Sequence, residues 1–417
     1  MRHVILESGR SFRLAAQVKG KFTVKSVYLD HASTTSVARE VLEAMAPYFR
    51  VHSGNPSSIH APGLLARNAV DQARASLASL LGCSPQEICF TSGGTEADNM
   101  AILGTAWALE NKKHIITSTV EHHAVVRSCQ FLAQHGWKIT YVPVDAKGLV
   151  DPDKIRKSIR RDTALVTIMH ANNEVGTVQP IEEIGLICRD TGVRFHTDAV
   201  QTVGHIQTRV DELNVDMLSL SGHKFYGPKG VGALYVRAGV HISPIIHGGG
   251  HERGRRSGTE NVPGIVGLGR AAELALVEME TEGPRQATLR DKLLDGLLER
   301  IPDAFVTGSR QRRLPNNASV IVMNVDGEAQ LRHLDAVGIS ASSGSACTSG
   351  SLEPSHVLLA MGFPPAVAYG SLRLSLGRDT TEEDIEYALA QIPVAAELSR
   401  SASDQISECN CVDGQCR

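Results

Sequence analysis

No apolar run in this sequence approaches the roughly 18 residues that a bilayer-spanning helix needs, so helical membrane spans are not expected. The N-terminus also lacks the continuous apolar core of a secretory signal. An excess of charge of one sign is missing too: 42 Lys and Arg stand against 45 Asp and Glu, a net charge of −3. Neither nucleic acid nor an anionic membrane is an expected partner of so balanced a chain. The eight cysteines, at 83, 89, 129, 188, 347, 409, 411 and 416, do not form a disulfide framework. The first four lie scattered in apolar or amphipathic contexts and read as buried, reduced thiols, which suits the cytoplasm. Internal repeats and low-complexity tracts are absent as well.

What remains is an ordinary globular composition, 42% apolar and 21% charged over 417 residues, long enough for two or three domains. Residues 1–26 carry six basic side chains against Glu7 and read as a flexible extension; organelle targeting by this basic stretch is the competing reading. From Val27 onward, strand-like runs (Glu87–Thr91, His114–Thr119, Lys138–Val144, Ala164–His170, Arg194–Thr197, Met217–Ser221, Gly232–Arg237) alternate with helical patterns such as Ser36–Phe49, Leu64–Leu81 and Glu96–Leu109. That alternation predicts an α/β fold with a mixed, mainly parallel seven-stranded sheet covered by helices. A smaller α+β unit is expected after a helix at Val262–Glu280, from Ala318–Val325, a helix at Glu328–Val337 and Ser371–Ser375. The expected division is thus residues 27–36 joining the small unit, 37–280 the large domain, 281–400 the small domain, and 401–417 a mobile polar tail.

Five short segments carry chemistry, each just after a predicted strand. Phe90-Thr-Ser-Gly-Gly94-Thr95-Glu runs strand, glycine turn, helix, and a helix N-terminus offers free N–H groups to a phosphate. It has no Walker lysine and no G-x-G-x-x-G, which disfavours nucleotides. His122 follows a strand and is suited to stack on a flat ring and move protons. Asn173 is one of two amides after the next strand, and Asp198 ends an apolar strand where a carboxylate can pair with a protonated pyridine nitrogen, with Gln201 three residues on. In Ser221-Gly222-His223-Lys224, a lysine on a glycine-bounded turn is placed to form a Schiff base. Taken singly, these residues read equally well as helix caps, Asx turns or solvated loop groups. Their order supplies a phosphate cradle, a stacking partner, a ring-nitrogen carboxylate and a Schiff-base lysine, the set that pyridoxal 5'-phosphate (PLP) requires.

Two later segments handle sulfur and carboxylate. Ala341-Ser-Ser-Gly-Ser-Ala-Cys347-Thr-Ser-Gly-Ser is small and polar with no apolar period, so Cys347 belongs to an exposed loop rather than a core. Arg373, inside the apolar strand Ser371–Ser375, needs an anion, either a substrate carboxylate or an internal salt-bridge partner.

Together these motifs resemble the group I, NifS/IscS-type cysteine desulfurases of the class-V aminotransferase-like PLP family, over roughly Tyr28 to Leu398. The stretch from Ser342 to His356, with Cys347 at its centre, is the most specific; His196–Gln201 and Arg253–Asn261 look nearest the nitrogenase-associated branch. The resemblance implies a fold-type I homodimer that takes sulfur from L-cysteine, leaves alanine, and passes a persulfide on Cys347 to an iron–sulfur scaffold protein. Lys224 would carry PLP, His122 would stack on the ring, and Asp198 would meet the pyridine nitrogen. Gln201 and Asn173 would lie near the phenolic oxygen, and Gly94, Thr95, Ser221, Gly222 and His223 would hold the phosphate. Thr259 would reach that phosphate from the other subunit, and Asn55 and Arg373 would hold the substrate carboxylate. Cys347 would also share a transient [2Fe–2S] cluster with the scaffold. The resemblance is incomplete at His31, where relatives often have Asn, and in the tail Cys409-Asn-Cys411-Val-Asp-Gly-Gln-Cys416. That tail lacks paired C-x-x-C spacing and reads either as a mobile segment or as a metal or persulfide relay. A selenocysteine lyase, another fold-type I PLP enzyme such as an aminotransferase, and a non-enzymatic assembly scaffold are the competing functions.

Overall fold

The computed structural model describes residues 25–109, 111–344 and 354–409, with side chains through Arg400. Cys347, Cys411, Cys416 and the extension before Lys25 lie outside the described residues. The chain opens with a short strand, β1 (Val27–Tyr28), and three helices, α1 (Arg39–Met45), α2 (Pro47–Arg50) and α3 (Ala61–Leu81). The predicted helix Ser36–Phe49 is therefore two pieces, because Pro47 has no N–H to continue the ladder. Helix α3 starts before Leu64, with His60 accepting from the N–H of Gly63 and a proline in its first turn.

There follow β2 (Ile88–Thr91), α4 (Gly94–Ala108), β3 (His114–Ser118), α5 (His123–Gln134), β4 (Lys138–Val142), α6 (Pro152–Ser158) and β5 (Thr163–Thr167). Then come α7 (Ile181–Thr191), β6 (Arg194–Asp198), β7 (Met217–Ser221) and β8 (Gly232–Val236). Strands β2 to β8 form one seven-stranded sheet in the order β2-β8-β7-β6-β5-β3-β4. Pairings from β4 through β7 are parallel, and β8 runs antiparallel to both its neighbours. This is the mixed, mainly parallel sheet that the strand–helix alternation predicts. Its strands β2, β3, β5, β7 and β8 are buried along their whole length, as helices on both faces require.

Helix α8 (Val262–Arg300) is continuous, with Pro284 inside it, so the expected boundary at 280–281 falls within one helix. Its first half packs on α3 and the large core through Ile265, Leu268 and Ala272. Its second half buries Leu289, Leu293 and Leu297 in a separate apolar cluster. That cluster is closed by β9 (Ala304–Val306), β10 (Asn317–Val322), α9 (Gly327–Ala336), β11 (Ile339–Ser340), β12 (Ser371–Ser375) and α12 (Glu382–Cys409), while α10 (His356–Ala360) and α11 (Pro365–Ala368) pack with Val120 and Met169 in another. Strands β12-β10-β9 make an antiparallel sheet, and β1 pairs in parallel with β11. Val27 and Leu29 join this smaller core. Helix α12 continues past Arg400, so the start of the expected tail is helical. No helix among the described residues is long and apolar enough to cross a membrane.

Candidate active site

Parallel strands point the same end toward one edge of the sheet, so the turns after β2, β3, β5, β6 and β7 collect there. They line one cleft of about 280 Å³ formed with Ala32 and Ser33 of the N-terminal segment and Arg373 of β12. Of the residues singled out in the sequence, Gly94, Thr95, His122, Asn173, Asp198, Gln201, Ser221, His223, Lys224 and Arg373 all line it. Gly222 lies buried beneath the turn, where a Cβ would meet the Pro228 carbonyl oxygen at 3.1 Å. Asn55 and Thr259 do not line this cleft; both are exposed on the single chain.

The turn after β2 is built from two glycines. Gly93 takes φ +153°, and a Cβ on Gly94 would stand 2.6 Å from Val200 Cγ2. Only bare backbone lets the N-terminus of α4 come this close to the turn after β6, which leaves its N–H groups facing the cleft. Ser221 and His223 line the same space. The His223 ring shares a 3.1 Å hydrogen bond with Thr34, and burial lowers its pKa to about 4.

Lys224 donates from Nζ to the carbonyl oxygens of Ala32 at 2.6 Å and Ser33 at 2.8 Å. The amide of Gln201 reaches the same Ala32 carbonyl at 3.0 Å. Asp198 is buried and accepts from the Val200 N–H at 2.9 Å; burial raises its pKa to about 6. His122 caps α5, its Nδ1 accepting from the Ala124 N–H at 3.2 Å, which leaves the ring hydrogen on Nε2. Burial, with Lys224 and His123 nearby, lowers its pKa to about 4, so the imidazole is neutral.

Arg373 has the internal salt-bridge partner that one reading of the sequence expected. It is 3% exposed, pairs with Asp30 at 2.9 Å, donates to Ser33 Oγ at 2.7 Å and to the Asn173 carbonyl at 3.1 Å, and still faces the cleft. Its Nε is buried and has no hydrogen-bond partner among the described residues.

Reading of the sequence missed Asp98. It sits one turn after Gly94 on α4, lines the cleft and is 1% exposed. One oxygen each of Asp98 and Asp198 and a His122 ring nitrogen lie within 4.8 Å of one another. Two buried carboxylates this close do not both ionise easily, and burial with the neighbouring Asp198 raises Asp98 well above the usual range. The spacing Gly94 to Asp98, one helical turn, was the signal available. Behind the pair, His196 bridges Thr167 at 2.8 Å and Ser219 at 2.9 Å, a buried polar chain across three strands. Cys89, Cys129 and Cys188 are buried free thiols and Cys83 is half-buried; burial pushes Cys83 and Cys129 up to about 12, which makes them unreactive.

This donor set fits PLP: a lysine Nζ, a buried carboxylate, a neutral imidazole and a glycine-built helix start share one cleft. Comparison with known proteins agrees. Residues 27–388 match the aminotransferase class-V family.

The chain belongs to the class-V aminotransferase family.

A protein named cysteine desulfurase IscS from Dictyoglomus turgidum is 53% identical over 91% of this chain and 96% of its own length. Its namesake in Methanosarcina thermophila is 53% identical over 91% and 94%. Among solved structures, one described as a NifS-like protein superposes with a TM-score of 0.85 at 42% identity, covering 90% of this chain and all of its own. Another, described as SspA in complex with cysteine, gives 0.75 at 41% identity over 84% of this chain and 99% of its own. Both branch names of the resemblance, IscS and NifS, thus occur among these relatives, and the family's cofactor is PLP.

Proposed function

We propose that this enzyme, a PLP-dependent cysteine desulfurase, performs its reaction in the cleft around Lys224 and stores the sulfur on Cys347. The observation that supports this most is the convergence of Lys224, Asp198 and His122 on one cleft from three separate strand ends. A scaffold without catalysis has no physical need for that arrangement. Lys224 would hold the cofactor through Nζ, Asp198 would face its ring nitrogen, and Gly94, Thr95, Ser221, Gly222 and His223 would hold its phosphate. Gln201 and Asn173 would lie at the phenolic oxygen. When bound, PLP supplies an electron sink for the pair released at the substrate Cα.

The chain's own groups then account for the rest. Arg373 would orient the substrate carboxylate with its planar fork, helped by Asn55. Lys224 would remove the Cα proton. His122, neutral, would take the substrate thiol proton on Nδ1, giving up the Ala124 N–H bond that this nitrogen accepts in the resting fold. The Cys347 thiolate would attack the substrate sulfur as the Cβ–S bond breaks. The electron pair stays with the carbon fragment, which is protonated to alanine, and the sulfur remains on Cys347 as a persulfide. An iron–sulfur scaffold protein would accept it, with Cys347 as a transient cluster ligand. A homodimer would bring Thr259 to the partner's phosphate site, and the enzyme would work in the cytoplasm.

The test is to incubate the purified protein with L-cysteine and measure alanine and persulfide. Stoichiometric alanine with persulfide on Cys347 is expected, and Cys347→Ser should keep the cofactor and make no alanine. Alanine and sulfide from Cys347→Ser at the wild-type rate, without added thiol, would remove Cys347 from the reaction. A 2-oxo acid product would point to transamination instead.

A further inference from the structure

Asp98 has no role in the reaction as described, yet the fold buries it in the cleft. It is 1% exposed and lines the cleft with Asp198. One oxygen of each carboxyl and a ring nitrogen of His122 lie within 4.8 Å of one another. The surroundings treat the two carboxyls differently. Asp198 accepts from the Val200 N–H at 2.9 Å, and the Lys224 charge favours its ionised form. Asp98 Oδ1 is buried with no hydrogen-bond partner among the described residues. The His196 ring comes to 3.7 Å from that oxygen, but its nitrogens are engaged by Thr167 at 2.8 Å and Ser219 at 2.9 Å. Burial lowers the His196 pKa to about 3, so this ring brings no positive charge.

The other groups that face Asp98 do not supply the missing charge. His122 is a neutral imidazole, and Glu121, from the segment before α5, works against ionisation of Asp98. Only the Ser219 hydroxyl of β7 favours the ionised form, and burial and Asp198 outweigh it. A carboxylate held so dry, beside a second carboxylate, is costly, whereas a neutral carboxylic acid is not. Where two close carboxyls hold one negative charge, the better-supported one keeps it. That one is Asp198, so the proton belongs on Asp98. A protonated carboxyl is a donor, and an ionised one only accepts. An Asp carboxyl turns readily about its last bond, so oxygens this close can meet through the shared proton.

We propose that Asp98 is a positioning residue, a neutral acid whose O–H serves the Asp198 carboxylate and holds it, as the single negative charge at this place, toward the nitrogen of the cofactor ring. This rests on the reading that Asp198 meets the ring nitrogen. A hydrogen bond to a charged acceptor is of the strong kind, and a ring that keeps its nitrogen proton is the better electron sink.

The test uses the full-length holoenzyme and two variants. Asp98→Asn is neutral and keeps a donor, while Asp98→Leu keeps the volume and no donor. Infrared difference spectra of wild type against Asp98→Asn, at neutral pH, should show the loss of one protonated-carboxyl carbonyl band. With the cofactor labelled by 15N in its ring, the nitrogen resonance should report a protonated ring in wild type and Asp98→Asn, and move toward the unprotonated position in Asp98→Leu. The kcat for alanine should fall by about 10- to 100-fold in Asp98→Leu and stay within about three-fold of wild type in Asp98→Asn. The KM for L-cysteine should hardly move in either, because Asp98 does not touch the substrate carboxylate. Should Asp98→Leu fail to fold, the infrared and 15N spectra of Asp98→Asn carry the test. No lost carboxyl band would show that Asp98 is ionised and overturn the proposal. So would an Asp98→Asn variant with an unprotonated ring, or an Asp98→Leu variant with wild-type kcat and a protonated ring. An unprotonated ring nitrogen in the wild-type holoenzyme would instead remove Asp198 from its role, and this proposal with it.

Discussion

Removing the Glu252 carboxylate strands a buried cation. Arg74 of α3 and Glu252 are paired in a fork, at 2.7 and 2.8 Å, with side chains only 7% and 3% exposed. Glu252 also accepts from the Phe90 N–H at 2.9 Å, and Arg74 donates to the Ile88 carbonyl at 2.9 Å. The pair thus fastens the segment 248–259 to β2. It fastens it against resistance, since Glu252 and Arg253 both sit at positive φ, +46° and +59°. Breaking a buried pair by removing one partner costs about 3–5 kcal/mol, chiefly because the other charge is left without compensation. Glu252→Ala and Arg74→Ala should each lose that much. Arg74→Met with Glu252→Leu removes both charges and leaves the Phe90 N–H short of a partner, a cost of about 1–3 kcal/mol, while the Ile88 carbonyl keeps Arg253 at 3.3 Å. The double variant should therefore lie well short of the roughly 6–10 kcal/mol sum of the single effects. Urea unfolding of the holoenzyme, followed by circular dichroism, measures all three. Cofactor retention should fall in the single variants as well if the released segment, which carries Thr259, reaches the partner's phosphate site as proposed. Additive single effects, or single losses below about 1 kcal/mol, would refute the reasoning.

Gly94→Ala places a methyl 2.6 Å from Val200 Cγ2. Relieving that overlap should cost about 1–3 kcal/mol, seen as a roughly 5- to 150-fold weaker affinity for PLP in a titration of the apoenzyme; unchanged affinity would sink the claim that bare backbone is needed there. Glu121 is buried, and its carboxyl is raised from 4.5 to about 8 by burial, despite bonds from Ser118 and the Met169 N–H. Its folded pKa lies above its unfolded one, so the folded state binds more protons between pH 4.5 and about 8, and stability falls as pH rises through that window. Glu121→Gln should flatten this dependence by a few kcal/mol (about 1.4 per unit); a profile of unchanged slope would show that Glu121 ionises freely in the fold.

How far the site was legible follows from the range of the forces involved. The glycine turn, His122, Asp198 and Lys224 were readable because each directly follows an apolar strand, and parallel strands must deliver such turns to one edge. Asp98 was hidden because a helical carboxylate ordinarily faces water, and only the packing of α4 on β6 and β7 buries it beside Asp198. Arg373 left two readings open, and its partner Asp30 lies 343 residues away. Helix α8 was read as ending near residue 280, because local patterning does not show that its two halves serve two different cores.

By itself, then, the sequence determined the sheet, the order of chemical groups along its edge and the family, because these rest on local patterning and short motifs. Tertiary structure alone decided which polar groups meet inside the fold: Asp98 with Asp198, Arg74 with Glu252, Arg373 with Asp30, and Glu174 with Ser355. Such pairings form between residues far apart in the chain, and burial, which gives them their energy, is a property of the folded whole.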